Sequence, residues 1–330
     1  MIVPQFWAEA SRAVRQGRKQ ITVRRFGWSD QSQADADAQA EHRAQEALER
    51  VLSGEKLSRR EPKIPYNGAE GVPIREEIVQ RHGQTILTRN SYGAVCLNTP
   101  DVLFVDVDLD AYHLGGLPGC PTMVLIWLAL ILCLVGLGEY LTSWRLVVIG
   151  MLGSIPLAGV LTSLLGKAKL ALAGGPELLA MSRIRHFMKQ HPDWRMRLYR
   201  TPAGFRLLAL HRTFDPREAE VVECFKQTGS DPMYRRMCFN QRCFRARVSP
   251  KPWRSGMGQH IRPRPGTWPI RPERLAERQN WVAQYEQKAR NFASCRFMET
   301  LGEGREDPVA VTVQRLHDEL CRADRDLPLA

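Results

Sequence analysis

The N-terminus contains no apolar segment of the length that a secretory signal needs, because charges interrupt MIVPQFWAEASRAVRQGRK. We therefore expect no export. The eight cysteines follow no repeated spacing, and Cys133 lies inside an apolar run. Such a pattern indicates reduced thiols in a cytosolic setting rather than a disulfide framework. Cys238 and Cys243 have no second pair at zinc-site spacing, so we expect them to be buried free thiols.

The common catalytic fingerprints are also missing. The chain has no P-loop, no G-x-S-x-G elbow, no dinucleotide-binding glycine pattern and no internal repeat. His82, His113, His211 and His317 show no spacing that is typical of a metal site or a catalytic triad. These absences exclude an assignment of function from any single motif.

Long apolar runs, in contrast, are present. Residues 123–138 and 146–166 contain no charged residue, and residues 139–145 between them hold Glu139 and Arg145. At 1.5 Å per helical residue, each run approaches the roughly 30 Å thickness of a bilayer core. The pattern predicts a transmembrane helical hairpin, about 121–138 and 146–166, within residues 117–170. The rest of the chain is polar enough to make the mean hydropathy negative, which predicts water-soluble flanks.

The distribution of basic residues predicts the orientation of this hairpin. Lys167 and Lys169 flank its second helix, and Arg183, Arg185 and Lys189 follow closely. Because positive residues favour the cytoplasmic side, we expect a two-pass protein of the inner (plasma) membrane with both termini in the cytoplasm. The lipid bilayer is then the first expected partner.

The flanks alternate between helix and strand patterns. Phe6, Trp7, Ala10 and Val14 fall at three- and four-residue steps, which predicts a helix over residues 1–19, and residues 20–28 alternate like a strand. Before the hairpin we further expect a helix over 32–52, a loop over 54–73, and strands over 85–89, 94–97 and 102–107. After it we expect helices over 177–189, 215–227, 231–241, 273–290 and 309–322, and strands over 194–201, 205–211, 243–248 and 295–301.

Neither flank forms a self-sufficient sheet by this pattern. We expect residues 1–116 and 171–330 to build one cytoplasmic domain of α+β class, with a largely antiparallel sheet and helices, interrupted by the transmembrane hairpin. Two separate domains joined by the hairpin are the alternative. Residues 249–272, which are basic and rich in proline, are expected to form an extended surface segment.

Three alternating aspartates, Asp106, Asp108 and Asp110, follow an apolar strand in the sequence LFVDVDLD. Side chains alternate along a strand, so all three are expected on one face. Carboxylates two residues apart can share Mg²⁺ or Mn²⁺, as phosphoryl and nucleotidyl transfer require. The alternative is that they cap the strand in water or pair with arginines.

Two further stretches are candidates for phosphate binding. In YRTPAGFR, Arg200, Thr201, the amides around Gly204, and Arg206 can hold a phosphate group, or the stretch is an ordinary hairpin turn.

In RCFRARVSPKPWR, Arg245 and Arg247 alternate along a strand and Lys251 follows. This basic stretch fits nucleotide or nucleic-acid phosphates, and equally a segment that rests on anionic lipid headgroups.

The order of these pieces resembles the archaeo-eukaryotic primase superfamily. FVDVD (104–108) is similar to its first motif, TPAGFR (201–206) occupies the place of its second, and RARVSPK (245–251) is similar to its basic strand. The resemblance implies an RRM-like core and metal-dependent nucleotidyl transfer. The sequence departs from the family pattern because the histidine of the second motif is absent, with Arg206 near its place, and because a membrane hairpin is inserted.

Three functions follow as expectations. The first is an integral membrane protein that anchors a basic cytoplasmic α+β domain of unassigned biochemical role. The second is a metal-dependent nucleotidyl or phosphoryl transferase similar to primases, active or inactive. The third is a membrane-tethered scaffold for nucleic acid or a protein partner.

Overall fold

The chain folds into an α+β structure whose named strands pair in antiparallel fashion. The computed structural model describes residues 4–17, 19–57, 73–110, 120–141, 144–264, 266 and 268–330. The strands are β1 Phe6–Gln16, β2 Lys19–Ser29, β3 Glu77–His82, β4 Thr85–Arg89, β5 Val95–Thr99, β6 Phe104–Asp108, β7 Met196–Thr201, β8 Gly204–Ala209, β9 Phe244–Arg247 and β10 Arg296–Leu301. The helices are α1 Gln33–Leu52, α2 Cys120–Leu141, α3 Trp144–Leu172, α4 Pro176–Gln190, α5 Ala219–Thr228, α6 Pro232–Gln241, α7 Leu275–Ala289 and α8 Pro308–Cys321.

The strands form one ribbon and two four-stranded sheets. Among the described residues, β1 and β2 pair with each other alone. The second sheet has the order β10-β7-β8-β6, and the third has the order β3-β4-β5-β9. β6 and β5 precede the apolar helices in the chain, whereas their partners β8 and β9 follow them. Strands from both sides of α2 and α3 are therefore hydrogen-bonded in the same sheets, and the expected antiparallel α+β class is confirmed.

One hydrophobic core joins the two four-stranded sheets. Val105 and Val107 of β6, Leu207 of β8, Phe244 of β9 and Ile184 of α4 all belong to it, and each is at most 1% exposed. Because side chains alternate along a strand, the residues between these apolar ones must point away from the core. This alternation places Asp106 of β6 and Arg245 of β9 on the strand faces opposite these core residues.

Capping explains where two of the helices begin. Asp231 accepts hydrogen bonds from the amides of Met233 and Tyr234 at the start of α6. Asp307 accepts equivalent bonds at the start of α8. In both helices a proline follows the cap at the first helical position. Proline has no backbone N–H, and at this position an N–H would have no partner within the helix. Short local patterns therefore suffice to start both helices.

The predicted helix over residues 1–19 is wrong, because Phe6–Gln16 is a strand paired along its length with β2. Ala8 and Ala10 lie against Ala36, Ala40 and Ala44 of α1, so the buried side of β1 follows the two-residue strand period. The pairing of β1 with β2 and its burial under α1 outweigh the local helical spacing of residues 6–16 and make this segment a strand. The helix predicted over residues 32–52 is present as α1, and an alanine-rich face of it packs on this ribbon.

Several other segments also differ from their prediction or extend it. β3 was not expected, and β6 ends at Asp108 with Leu109 and Asp110 in a helical turn. Residues 249–272 are partly packed rather than lying on the surface, because Met257 and Ile261 join a cluster on α7. The loop predicted over 54–73 falls mostly on residues 58–72, which lie outside the described residues.

The two apolar runs form helices longer than predicted, α2 and α3. They pack on each other: the Trp127 indole nitrogen donates to Ser154 Oγ at 3.0 Å. Many of their apolar side chains are exposed, including Leu132 at 75% and Ile155 at 58%. Within the described residues, Gly153–Leu172 is long and apolar enough to cross a membrane, whereas the apolar run Met123–Gly138 is shorter. A membrane location is supported to this extent, and a two-pass topology is not.

Candidate functional site

A cleft of about 300 Å³ opens where the end of β6 faces β8, the end of β9 and the turn between β4 and β5. Its walls carry carboxylates and cations together. The charged residues that line it are Glu76, Asp106, Asp108, Arg206, Asp231, Arg247 and Lys251. The sequence singled out five of these, and the fold brings them to one place although more than 100 residues separate β6 from β9.

Asp106 and Asp108 lie on the cleft side of β6, as their alternation predicted. Val105 and Val107 point into the core from the opposite side. Asp110 departs from the prediction, because the strand ends at Asp108 and Asp110 is exposed in the following turn. Its backbone N–H donates to Asp108 Oδ1 at 3.0 Å. The candidate metal ligands are therefore Asp106 and Asp108, with Asp110 positioning the second of them.

The pKa of Asp108 is raised above its ordinary value. Burial is the largest cause, and the nearby carboxylates of Asp110, Asp106 and Asp231 add to it, while the Asp110 N–H opposes it. Carboxylates that crowd each other in this way are stabilised by a bound cation.

Arg206 lies directly across the sheet from Asp106. Its side chain is 4% exposed, and its Nη2 is 3.8 Å from Asp106 Oδ1. Nη1 donates to the backbone oxygen of Arg247 at 2.9 Å and lies 3.2 Å from His317 Nε2. These contacts hold the guanidinium at the floor of the cleft and fix its direction.

Arg247 and Lys251 supply the other two cations of the cleft. The Nε of Arg247 is buried without a hydrogen-bond partner among the described residues. The pKa of Lys251 is lowered, first by burial and then by Arg247 and Arg254, and Asp108 and Asp106 oppose this. Two cations that repel each other beside an unsatisfied N–H donor suit an anionic ligand.

Arg245 and Arg200 do not line the cleft, so their predicted role in phosphate binding is not supported. Arg245 shares a face of β9 with Arg247, as predicted, but its Nη2 lies 2.7 Å from both Glu76 carboxylate oxygens. Arg200 pairs with Glu177 at 3.0 Å. Each guanidinium is neutralised by its own carboxylate.

Thr201 and Gly204 complete the predicted set. Thr201 lines the cleft. Gly204 stands opposite Asp108 in the ladder, where a Cβ would lie 2.0 Å from the Val107 oxygen. Glycine is required there because β6 and β8 approach each other closely. This close approach places the YRTPAGFR turn against the end of β6.

Residues that sequence reasoning missed also lie in or beside the cleft. Asn90, Ser91 and Tyr92 come from the turn between β4 and β5 and line the cleft. Tyr92 packs edge-on against Trp253, with ring centroids 5.3 Å apart, and Trp253 is 54% exposed. An aromatic surface therefore stands beside the charged cleft.

A second group of reactive side chains lies behind Arg206. Cys295, His317 and Cys321 are buried, and their ligand atoms lie within 4.8 Å of one another. The pKa of the Cys295 thiol is lowered: burial opposes this, but a hydrogen bond from Cys321 and the charges of His317 and Arg206 outweigh it. His317 and Cys321 stand one turn apart on α8, so the His-x3-Cys spacing was the signal that could have found them.

Protein-family models, curated proteins and solved structures give no match to this chain. The primase-like resemblance rests on its own motif pieces. Asp106, Asp108, Arg206, Arg247 and Lys251 from those pieces share the cleft. His211 does not line it, and instead packs on Trp194 with ring centroids 4.6 Å apart.

Proposed function

We propose that this protein is a membrane-anchored nucleotide-binding protein whose cleft holds a phosphate chain together with Mg²⁺ or Mn²⁺, in the manner of nucleotidyl and phosphoryl transferases. One observation carries the proposal: Asp106 and Asp108 share a single cleft with Arg206, Arg247 and Lys251. Carboxylates beside cations form the arrangement that a metal–polyphosphate complex requires, because each partner neutralises the other.

The carboxylate side of the cleft suits a hard divalent cation. Mg²⁺ binds through one or two carboxylates and fills its remaining positions with water and substrate phosphate. Asp106 and Asp108 offer this number of ligands from adjacent positions on one strand face. Glu76 is an unsuitable ligand although it lines the cleft, because both of its oxygens already accept from Arg245.

The opposite side of the cleft suits the phosphates. Arg247 offers a buried Nε without a partner among the described residues, and Lys251 adds a mobile point charge. Arg206 is less available, since it already contacts Asp106 and the Arg247 carbonyl. The phosphate chain is therefore assigned to Arg247 and Lys251, with Arg206 completing the charge balance.

The aromatic pair beside the cleft suits the base of a nucleotide. Trp253 is exposed, Tyr92 supports it from the cleft wall, and the Lys251 ammonium lies 5.5 Å from the Trp253 ring centroid. A phosphate held by Lys251 would place an attached base within reach of this ring. Stacking on an exposed aromatic ring is a common way to bind a base without hydrogen bonds to its edge.

Binding without transfer is a second candidate, and Arg206 is the observation that favours it. Arg206 stands near the place where the primase-like pattern expects a histidine, and it faces Asp106 at 3.8 Å. A guanidinium at this distance satisfies part of the carboxylate charge that would otherwise attract metal. Nucleotide binding tests the first part of the proposal, and release of pyrophosphate from a nucleoside triphosphate tests transfer.

The membrane anchor in this proposal is α2 with α3, which places the cytoplasmic domain on the bilayer surface. The exposed apolar residues of the two helices support it, as does the span-length segment Gly153–Leu172. The cleft then lies close to the membrane, because α2 follows β6 after the short segment 109–119.

The test uses the full chain in detergent micelles, with Mn²⁺ followed by electron paramagnetic resonance and nucleoside triphosphate by equilibrium dialysis. We expect nucleotide binding that depends on Mn²⁺. Asp106→Asn and Asp108→Asn should each weaken it by at least about tenfold, since each removes a metal ligand. Asp110→Asn is the matched control, because it removes a nearby exposed carboxylate and keeps the backbone N–H that donates to Asp108. It should leave affinity nearly unchanged. Equal affinity with and without metal, or equal loss in all three variants, would refute the proposal.

A further inference from the structure

Cys295, His317 and Cys321 form a cluster outside the cleft that the proposed function does not use. His317 Nε2 lies 3.4 Å from Cys321 Sγ and 3.9 Å from Cys295 Sγ. Ligands of one tetrahedral zinc ion stand about 3.5–3.8 Å apart, given bonds of about 2.3 Å to sulfur and 2.0–2.1 Å to nitrogen. His317 Nε2 is therefore close to ligand spacing from both sulfurs, and the three donor atoms all lie within 4.8 Å of one another.

The imidazole is also oriented for metal binding. His317 Nδ1 lies 2.9 Å from Asp318 Oδ1, so Nδ1 carries the proton and donates to the carboxylate. In the neutral imidazole the lone pair of Nε2 faces the two sulfurs, so metal binding requires that Nε2 carries no proton. Asp318 is itself held by the Tyr199 hydroxyl at 2.6 Å and by Arg197 at 3.0 Å. A carboxylate that fixes the far nitrogen of a ligand histidine is the usual outer shell of a zinc site.

The burial of the three side chains and the charges that they can carry suit a thiophilic metal ion. All three side chains are fully buried. Two thiolates and a neutral imidazole cancel the charge of a divalent ion, so the loaded site is neutral. Arg206 Nη1 lies 3.2 Å from His317 Nε2. Metal binding must displace that nitrogen from Nε2, and its bond to the Arg247 carbonyl remains available.

We propose that Cys295, His317 and Cys321 bind one thiophilic metal ion, with zinc as the expected occupant. The ion ties α8 to the segment that enters β10. A fourth position remains for water. None of the three ligand residues lines the cleft, although Arg206 contacts both places. Zinc content and nucleotide binding are measured separately, so the two proposals can be told apart.

To test this, the full chain is purified in detergent without chelator, and its zinc content is measured by inductively coupled plasma mass spectrometry. We expect one zinc ion per chain. Replacement by Co²⁺ should produce a thiolate-to-cobalt charge-transfer band in the near ultraviolet. Cys321→Ser should reduce the zinc content to near zero and remove that band. Cys224→Ser, which changes another fully buried thiol, is the matched control and should leave both unchanged.

The wild-type chain keeps the proposal falsifiable if Cys321→Ser does not fold. Metal-free wild-type protein whose Co²⁺ spectrum lacks the thiolate band would overturn it. So would a Cys295–Cys321 disulfide found by mass spectrometry after alkylation under non-reducing conditions, because a disulfide removes both thiolates. Zinc loss of equal size in the Cys224→Ser control would also overturn it.

Discussion

The charged form of Asp108 destabilises the fold, because burial and neighbouring carboxylates oppose its negative charge. Its folded pKa lies above the ordinary aspartate value, so deprotonation disfavours the native state. Its favourable contribution is complete below the unfolded pKa of about 3.9 and is lost as the pH rises through the folded pKa. At neutral pH the charged carboxylate therefore weakens the fold unless a cation binds.

We accordingly expect Asp108→Asn to raise the Tm at pH 7 by roughly 1–3 °C, a modest effect because the group is half-exposed. The difference should shrink as the pH falls toward the unfolded pKa of about 3.9 and vanish below it. Mg²⁺ or Mn²⁺ should raise the Tm of the wild type more than that of the variant, because a ligand stabilises the state that binds it. Thermal melts at both pH values, with and without metal, decide this. A variant less stable than wild type at pH 7 would contradict the assigned sign.

Glu76 and Arg245 form a buried ion pair, with side chains 3% and 5% exposed. Removing one charge leaves the other buried without its partner. We expect Glu76→Gln to lower the free energy of unfolding by about 3–5 kcal/mol. Urea titration measures it.

The matched control is Glu299→Gln, which breaks an exposed pair with Arg185 at a similar distance of 2.9 Å. Its cost should stay below about 1 kcal/mol. If the two variants lost the same free energy of unfolding, the prediction would be contradicted. The charge of Arg245 would then be stabilised by other groups when Glu76 is changed.

Trp253 distinguishes a nucleotide from a bare phosphate chain. Stacking of a base on an aromatic ring contributes about 1–3 kcal/mol, or roughly 5- to 150-fold in affinity. We expect Trp253→Ala to weaken nucleoside triphosphate binding within this range and to leave inorganic triphosphate binding unchanged. Competition dialysis with the two ligands provides the comparison. Parallel loss of both would place the tryptophan in phosphate binding or in folding instead.

At the scale of elements, α1 and the β1–β2 ribbon depend on small side chains at their contact. Gly27 is so close to α1 that a Cβ would lie 2.2 Å from the Ala36 oxygen. Ala36, Ala40 and Ala44 are each at most 1% exposed. The packing therefore leaves no room for longer side chains, and this close approach is what makes an alanine-rich face sufficient to hold the helix.

We expect Ala40→Leu to destabilise this unit by about 1–3 kcal/mol, the usual cost of overpacking. Ala38→Leu makes the same change at an exposed position on the same helix and should be within about 0.5 kcal/mol of wild type. Hydrogen exchange of the β1–β2 amides reports the local effect. Unchanged protection in Ala40→Leu would show that α1 can move away from the ribbon without loss.

The whole molecule combines two apolar helices with sheets that draw strands from both sides of them. A reagent test of membrane insertion is available because Cys133 of α2 is exposed, whereas the other free cysteines that the structure describes are buried. In a bilayer, Cys133 should resist a water-soluble maleimide in intact membranes and react after detergent is added. Alkaline carbonate should leave the chain in the pellet. Rapid labelling of Cys133 in intact membranes, or recovery of the chain in the supernatant, would contradict the proposed membrane anchor.

Local patterns accounted for most elements. The strand over 85–89 has the bounds of β4. The helix over 32–52 differs from α1 by one residue at its start, and the helix over 309–322 differs from α8 by one residue at each end. Caps and turns such as Asp231–Pro232 and Asn90–Gly93 are encoded within a few residues, so sequence alone suffices there. The strand β1 was missed because its conformation depends on pairing with β2 and on burial under α1.

The amino-acid sequence by itself determined the α+β class, the two apolar helices, and the alternation that points Asp106 and Asp108 away from the core. These properties follow from periodicity, which is local. Only the tertiary structure decided that Arg247 lines the cleft while Arg245 pairs with Glu76. It also decided that Cys295 meets His317 and Cys321. Contacts between residues this far apart depend on strand register and helix packing, and the local spacing of residues does not encode either.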